Sequence, residues 1–568
     1  MLKNYTVAMV LASILMMAGW SLAGDATVPG EVSTPFPTVT NLAVEWKIQG
    51  DDNLNATVAV KYREAQADTW HQAMELRRVP AGQSKTTNPL FTWDNKFSGS
   101  ILDLKPDTQY EIQLALTDPD GGAAQKMVTV RTRLVPKAAA DASVRKVDAS
   151  TIDTVKPGEI GLLADGNYGD FIAKADGEPG KPIVYRAQGT GAKFTFVSLK
   201  NRKHVYLEGV VVRSAKEGAA VELLGAENCV VRRCDIQGVF GIRADDKPGA
   251  TNCYVADNVI KGTTPWTPEA MGANGKNIGE GIEMTGSGNV ICFNKVSNFR
   301  DCISTMEDTY TADQNCIDIL NNDIAVGADD AIEADFAMSN CRIMRNRITN
   351  CFVGLSSQPG LGGPTYFIRN VMYNLTYVPF KLHRYSKGDV VLHNTVVKSG
   401  DGMACFAATE FDYALFRNNL CIGGPTGGKV WGNYGSGAGM AVTLYAVGSH
   451  CDIDYDAVGT WQTPFKGKIG TQVFSSAEEM RKGPQEKHGL VVGLDVFRGV
   501  AFPEQPGTLY APPDLRPQDG SAVVDAGLVI PNVNDGSAGK GPDIGAYEAG
   551  QPLPMYGPRP ESVDESTK

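Results

Sequence analysis

No cysteine occurs before Cys229. Eleven follow, but several recur at equivalent places in a repeat, which predicts buried thiols stacked as small hydrophobes rather than a disulfide framework. Beyond the N-terminal segment no apolar run is long enough to span a bilayer, which excludes a helical membrane anchor. Basic charge is scarce as well: 53 Lys and Arg stand against 64 Asp and Glu, a formal net charge of −11. Nucleic acid and anionic membrane are therefore poor partners, because counterion release needs basic patches. A polyanionic substrate would need local basic residues or a bound cation. Only 21% of residues are charged, while glycine and proline number 62 and 31, so the chain is turn-rich and globular rather than disordered or coiled-coil. At 568 residues it exceeds one ordinary core and implies several domains or a repeat.

The first 23 residues have the pattern of a secretory signal, with Lys3, an apolar stretch from Val7 to Met17 and the small-residue site Ser21-Leu22-Ala23. Cleavage near Ala23 would give a soluble, secreted or periplasmic protein, and no cysteine follows to carry a lipid. Residues 34–135 alternate in short strands ("LAVEWKI", "ATVAVKYRE", "YEIQLALTD"), as in a β-sandwich with Trp46 at its core. The stretch "LKPDTQY" (Leu104 to Tyr110) resembles the tyrosine corner of fibronectin type III domains. That resemblance implies a module without catalytic residues, expected here to act as a spacer. Residues 136–145 read as a linker.

From residue 146 the character changes. "KPGEIGLLADGNYGDFIAKADGEPGKPIVYRAQG" resembles the opening of secreted right-handed parallel β-helix proteins of the pectin-lyase-like kind, alginate and chondroitin lyases among them. A repeat then runs to 424. Cys234, Asn258, Asn346, Asn370, Asn394 and Asn418 fall on a 24-residue register interrupted only between 258 and 346, one coil per period. Asparagine suits the repeated turn because it tolerates left-handed dihedrals and its amide can bond along the stack. The spacing from Asn258 to Asn294 is 36, so one coil carries an insertion, "GTTPWTPEAMGANGKNIG", whose Trp266 could stack on a sugar or fold back on the loop. A second long connection is "SSQPGLGGPTY". Residues 425–550, ending in "DGSAVVDAG…GPDIGAYEAG", resemble the terminal segment of exported bacterial β-helix proteins, which implies a continuation and a cap over the last coil. Residues 551–568 read as a loose tail. The expected fold is all-β, a sandwich followed by a right-handed parallel β-helix solenoid.

Aligning coils on the asparagines also aligns the strands before them. Ile242, Ile282, Ile303, Ile332, Leu355 and Phe380 form an inward column, so period-two alternation turns Arg243, Glu283, Ser304, Glu333, Ser356 and Lys381 outward. A second outward column holds Asp245, Thr285, Met306, Asp335, Gln358 and His383, and a third, at the strand entrance, holds Glu280, Asp301 and Asp330. Four carboxylates thus crowd "GADDAIEADF", where Asp329 is expected in a turn and the others on a solvent face. With coils about 4.8 Å apart, Asp301 and Asp330 are neighbours and Glu283 and Glu333 lie roughly 9.5 Å apart.

Separations of about 6.5–9.5 Å suit inverting glycosidases, and closer pairs such as Asp301 with Asp330 could hold one acid protonated. This predicts a polysaccharide-cleaving hydrolase with Glu283, Asp301, Asp330, Glu333 and Asp335 as its carboxylate set. Arg243, Trp266, Gln358 and Arg384 are the substrate-binding candidates. The alternative is a calcium-dependent lyase of a uronate-containing glycan, with Ca2+ on Glu333 and Asp335 and Lys381 or His383 as base. The β-helix lyases carry a Glu-x-Glu followed on the same coil by the catalytic Lys; here "FAMSN" follows Asp335, so those residues are not carried over. A third alternative is a non-catalytic glycan-binding or adhesive solenoid. The sequence establishes no cofactor. Its partner is expected to be a polysaccharide or cell-surface glycan, bound by a monomer, and His393 is expected to be structural.

Overall fold

The computed structural model describes residues 24–425, 431, 434–563 and 565. The expected signal segment lies outside them. Among the described residues regular structure is almost wholly β; the single α-helix is Ala477–Arg481. Among the described residues no helix is long and apolar enough to cross a membrane.

Two four-stranded antiparallel sheets form the N-terminal part. One contains Val28–Ser33, Leu42–Gln49, Lys96–Ile101 and Arg77–Val79; the other Ala123–Arg131, Gln109–Thr117, Thr57–Glu64 and His71–Ala73. Alternation along Gln109–Thr117 sends Tyr110, Ile112, Leu114 and Leu116 into one core with Trp46, which is fully buried. The Tyr110 hydroxyl accepts a hydrogen bond from Lys105 N–H at 2.9 Å, closing the corner.

This unit is seated directly on the coils. Its Thr38 and Asn41 side chains donate to Asp318 of the coils, which also pairs with Arg342, and Asp318 and Arg342 are both completely buried. Ser100 N–H donates to Tyr366 Oη at 3.0 Å, and Arg345 forks onto Asp103 at 2.8 and 2.9 Å. A polar face repeated along the coils leaves charges that need partners, and the sandwich supplies them.

The coils form two long parallel sheets, of 13 and 22 strands. The first strand, Ser143–Val147, begins within the stretch read as linker. Seven short strands matter for the site: β1 Phe240–Ala244, β2 Glu280–Met284, β3 Asp301–Ser304, β4 Asp323–Glu333, β5 Arg347–Ser357, β6 Phe380–Leu382 and β7 Met403–Phe406. Ile242, Ile282, Ile303, Ile332, Leu355 and Phe380 pair in register as expected and are fully buried. All eleven cysteines are buried and unbridged.

The asparagine column is a continuous ladder. Asn258, Asn294, Asn322, Asn346 and Asn370 each donate a side-chain N–H to the next Oδ1, at 2.9–3.0 Å. Its last amide is Asn419, not Asn418: a coil one residue longer moves the rung, and Asn418 instead bonds Leu528 O and His393. Asn346→Leu removes two donors and two acceptors from a dry stack and should cost about 2–3 kcal/mol in urea-melt stability.

The ladder ends on a carboxylate. Asp456 Oδ1 accepts from Asn419 N and Nδ2 at 2.6 and 2.9 Å, and the Asp456 and Glu486 carboxyls are hydrogen-bonded to one another. Burial pushes Asp456 up to about 7, and burial with the Asp456 charge raises Glu486 well above its ordinary value. Protons held in the folded state and lost in the unfolded one make stability complete below about pH 4 and falling as pH rises through 7. Asp456→Asn should flatten that fall, measured as melting temperature at pH 5 and pH 8.

Two C-terminal expectations change. The stretch after Leu490–Val492 lies along the flank of the coils instead of over their end: Val496, Phe497, Leu515, Ile544 and Tyr547 pack on Val371, Tyr373, Val397, Leu420 and Ile422. Those outward apolar side chains need a cover, which a cap on the last coil would not give them. The expected loose tail is pinned by Arg559, which donates to both oxygens of buried Asp257 and stacks on Phe293.

Candidate active site

Strand β4 carries the acidic stretch. A bulge between Gly327 and Asp330 re-aims it, and Asp329, inside the strand and bonded through its N–H to Arg300 O at 2.8 Å, is not a turn residue. The outward column is in register from Arg243 through Glu283, Ser304, Glu333, Ser356 and Lys381, and continues to Phe406.

Outward does not mean exposed. Asp330 and Asp335 are 0% exposed, Glu283 2%, Glu333 8% and Lys381 9%, so the solvated acidic face expected from the sequence is a buried floor. Two walls cover it. On the strand-entrance side the 262–279 insertion lies over β4 and β5: Gly272 N–H donates to Ala328 O at 2.7 Å, and Ala270 and Met271 pack on Ala328, Phe352 and Val353. Trp266 folds into this wall, 6.1 Å from the Trp431 ring, so it does not stand free as a sugar platform. Phe352, Tyr377, Phe406 and Tyr434 extend the wall as a chain of ring contacts 4.9–5.9 Å apart. On the other side stand the 305–311 connection and a hairpin loop of the sandwich.

The carboxylates fall into two overlapping sets. Asp301, Asp330 and Glu333 can place oxygens within 4.8 Å of one another, and so can Glu307, Glu333 and Asp335. Lys381 Nζ bonds Asp330 and stands 3.8 Å from Glu333; Arg300 lies 3.4 Å from Asp301 and 3.5 Å from Asp329. Asp335 Oδ1 accepts from Ser356 Oγ at 2.5 Å and Gln358 N at 2.8 Å. Glu283 is taken by Arg243, which also pairs with Asp245, and Glu280 by Ser304. Glu283 and Arg243 therefore form a closed pair beside the two sets.

So many buried acids cannot all ionise. Burial, then the Asp301 and Asp335 charges, hold Glu333 well above the usual carboxylate range; burial with Asp329 and Glu280 does the same to Asp301. Burial raises Asp335 and Glu280 to about 8 and Asp329 to about 6. Lys381 moves the opposite way to a buried lysine: burial lowers it, but Asp330, Asp335, Glu333 and Asp329 outweigh that and keep it charged. A lysine so held is a poor base. His383 is lowered by burial and by Lys381, yet its Nδ1 accepts from Ala408 N–H at 3.2 Å, which puts the proton of the neutral ring on Nε2 and leaves no free lone pair.

Glu307 is absent from the sequence-based set. It sits in the connection after β3, where no strand alternation points to it; its side chain is 40% exposed and Arg384 holds it at 3.2 Å. Glu307 and Glu333 are the members of the second set that the cleft can reach. Arg300, next to Asp301, was likewise unmarked by periodicity. A metal would fit the donor chemistry: Asp330 Oδ1 and Asp335 Oδ2 are buried oxygens without partners. Glu307 would be a third carboxylate beside Glu333 and Asp335, the calcium pair expected from the sequence. A cavity of about 630 Å³ lies elsewhere, between the sandwich and the first coils, and has Asp107 as its single carboxylate, so it offers no carboxylate pair.

No protein-family model matches the chain, and no curated protein matches it. Among solved structures it is similar to the pectate lyase Pel9A, with 16% identity and a TM-score of 0.39 over 71% of this chain and 90% of that one. It is also similar to the Yersinia enterocolitica family 28 exopolygalacturonase, with 12% identity and a TM-score of 0.36 over 79% of this chain and all of that one. Neither likeness assigns a residue or an activity here.

Proposed function

We propose that the protein cleaves a polysaccharide by hydrolysis of a glycosidic bond, with the polymer lying along the walled cleft. The observation that carries this reading is the unequal pair at its floor: Glu333, kept protonated by burial and by Asp301 and Asp335, beside Glu307, more exposed and held by Arg384. Burial raises Glu307 too, but Arg384 opposes the rise, whereas Glu333 stands well above the usual carboxylate range; two carboxyls held so unequally suit acid-assisted glycoside cleavage. Glu333 donates its proton to the leaving oxygen as Glu307 attacks the anomeric carbon, and Glu333 then takes a proton from the water that hydrolyses the bond between sugar and Glu307. Asp301, Asp330 and Asp335 lie beneath and act on Glu333 by charge, while Lys381 offsets their sum. The aromatic wall ending at Phe406 offers apolar faces for sugar rings.

Oxygens within 4.8 Å are closer than the about 6.5–9.5 Å of inverting pairs. Retention of anomeric configuration is the expected outcome, read by proton NMR of the first product.

A second reading, a calcium-dependent lyase, draws on the orphaned oxygens of Asp330 and Asp335. Glu307, Glu333 and Asp335 would hold the ion, which would neutralise a uronate carboxylate. Against it stand Lys381, held charged, and His383, whose acceptor nitrogen is already engaged. Product chemistry separates the two. Hydrolysis releases reducing ends without an ultraviolet chromophore and persists in chelator; elimination gives the chromophore and stops. Binding without product would leave a glycan-binding solenoid.

A further inference from the structure

The N-terminal sandwich reaches the cleft through one hairpin. Its strands Gly82–Gln83 and Thr92–Trp93 pair, and the loop between them is locked from inside: Ser84 N–H donates to Phe91 O at 2.9 Å, Phe91 N–H donates to Ser84 Oγ at 2.8 Å, and Ser84 Oγ and Thr87 Oγ1 share a hydrogen bond at 2.5 Å. Ser84 and Thr87 are buried although their neighbours are exposed. The loop is thus a preformed body, and it is seated on the coils. Phe91 packs edge-on against Phe336, 5.5 Å between centroids, and Trp93 lies against Gly362.

Its tip touches the site. Thr86 O accepts from Arg384 Nη2 at 2.8 Å, and Asn88 N–H donates to Asp308 Oδ1 at 3.3 Å. The same Arg384 holds Glu307 at 3.2 Å and Asp308 at 2.9 Å, and stacks over Phe336 at 5.2 Å. Two contacts from the sandwich therefore fix the guanidinium and the turn that carry Glu307. Without them Arg384 loses one of its four contacts, the Thr86 carbonyl, and keeps Glu307, Asp308 and Phe336.

We propose that the Ser84–Phe91 loop is a working wall of the cleft and that, through Arg384, it positions Glu307 opposite Glu333. The sandwich is then part of the site rather than an accessory to it. This rests on Glu307 and Glu333 being the working pair, so the test includes a readout that needs no turnover.

In the full chain, residues 85–90 are replaced by Gly-Gly, alone and combined with Arg384→Ala. Hydrogen exchange of the 305–311 segment, kcat/KM and the pH profile are then followed. A positioning loop gives faster exchange at 305–311, a loss of about tenfold to a hundredfold in kcat/KM carried by kcat, and a shifted acidic limb. The double variant should lose no more than Arg384→Ala alone, since both act on one group. Unchanged exchange overturns the proposal whatever the activity. So does faster exchange with an unaltered rate and pH profile, or fully additive losses. If the native chain makes no product on any glycan, the hydrolase reading fails separately, and exchange alone decides whether the loop holds Glu307.

Discussion

Lys381→Met should lower stability at neutral pH by about 3–5 kcal/mol, among the largest effects expected of any single substitution in the coils. Lys381 is buried on the floor, bonded to Asp330 and 3.8 Å from Glu333, with Asp329 and Asp335 adding to its field. Methionine fills the same volume and removes the only lysine among them, so the remaining acids must take up protons or leave. The pH dependence follows from the directions. In the native chain the lysine is raised above its ordinary value of 10.5, so its contribution is complete below that value and is lost only as pH rises through the raised one. In the variant the carboxylates are raised further, and its deficit should shrink steadily from pH 8 to pH 5. Melting curves across that range check this; an exposed surface lysine would show a change under about 1 kcal/mol at every pH.

Glu333→Gln should lose about 10²–10⁴-fold in kcat with the fold intact. The amide copies the protonated carboxyl in shape and neutrality, so it suits a site that already keeps Glu333 uncharged, and the melting temperature should hold or rise. Only the transferable proton is gone. In the native chain Glu333 is raised well above 4.5, so the rate should hold through neutrality and fall on the alkaline side as its proton leaves. The variant's residual rate should lack that limb.

The six inward apolar residues and the outward column on β1 to β6 were legible because a parallel stack with one buried side selects strictly on alternation. Exposure was not legible. The floor is roofed by the 262–279 insertion and by a loop more than 200 residues upstream of it in sequence, and no local pattern records which distant segment will lie on a strand. Glu307 escaped for a related reason: it lies in a connection, where side-chain direction has no period. Asp329 was misplaced because a bulge puts two adjacent aspartates inside one strand. "RNNL" offered two adjacent asparagines for one rung, and the extra residue in that coil, invisible to a fixed period, chose Asn419 over Asn418. The aromatic wall left only Trp266 and Phe406 with a clue, an insertion and a column; Phe352, Tyr377 and Tyr434 meet across three separate coils.

The most direct test of the acidic floor as a catalytic site compares native protein with Glu333→Gln on a panel of neutral and uronate-containing polysaccharides. Reducing ends, ultraviolet absorbance and retention of both proteins on each glycan are recorded together. The account predicts that both proteins are retained by the same glycan and that only the native one releases reducing ends, without the chromophore. Equal product from both would contradict it, because the protonated carboxyl at the centre of the floor would then have no part in breaking the bond.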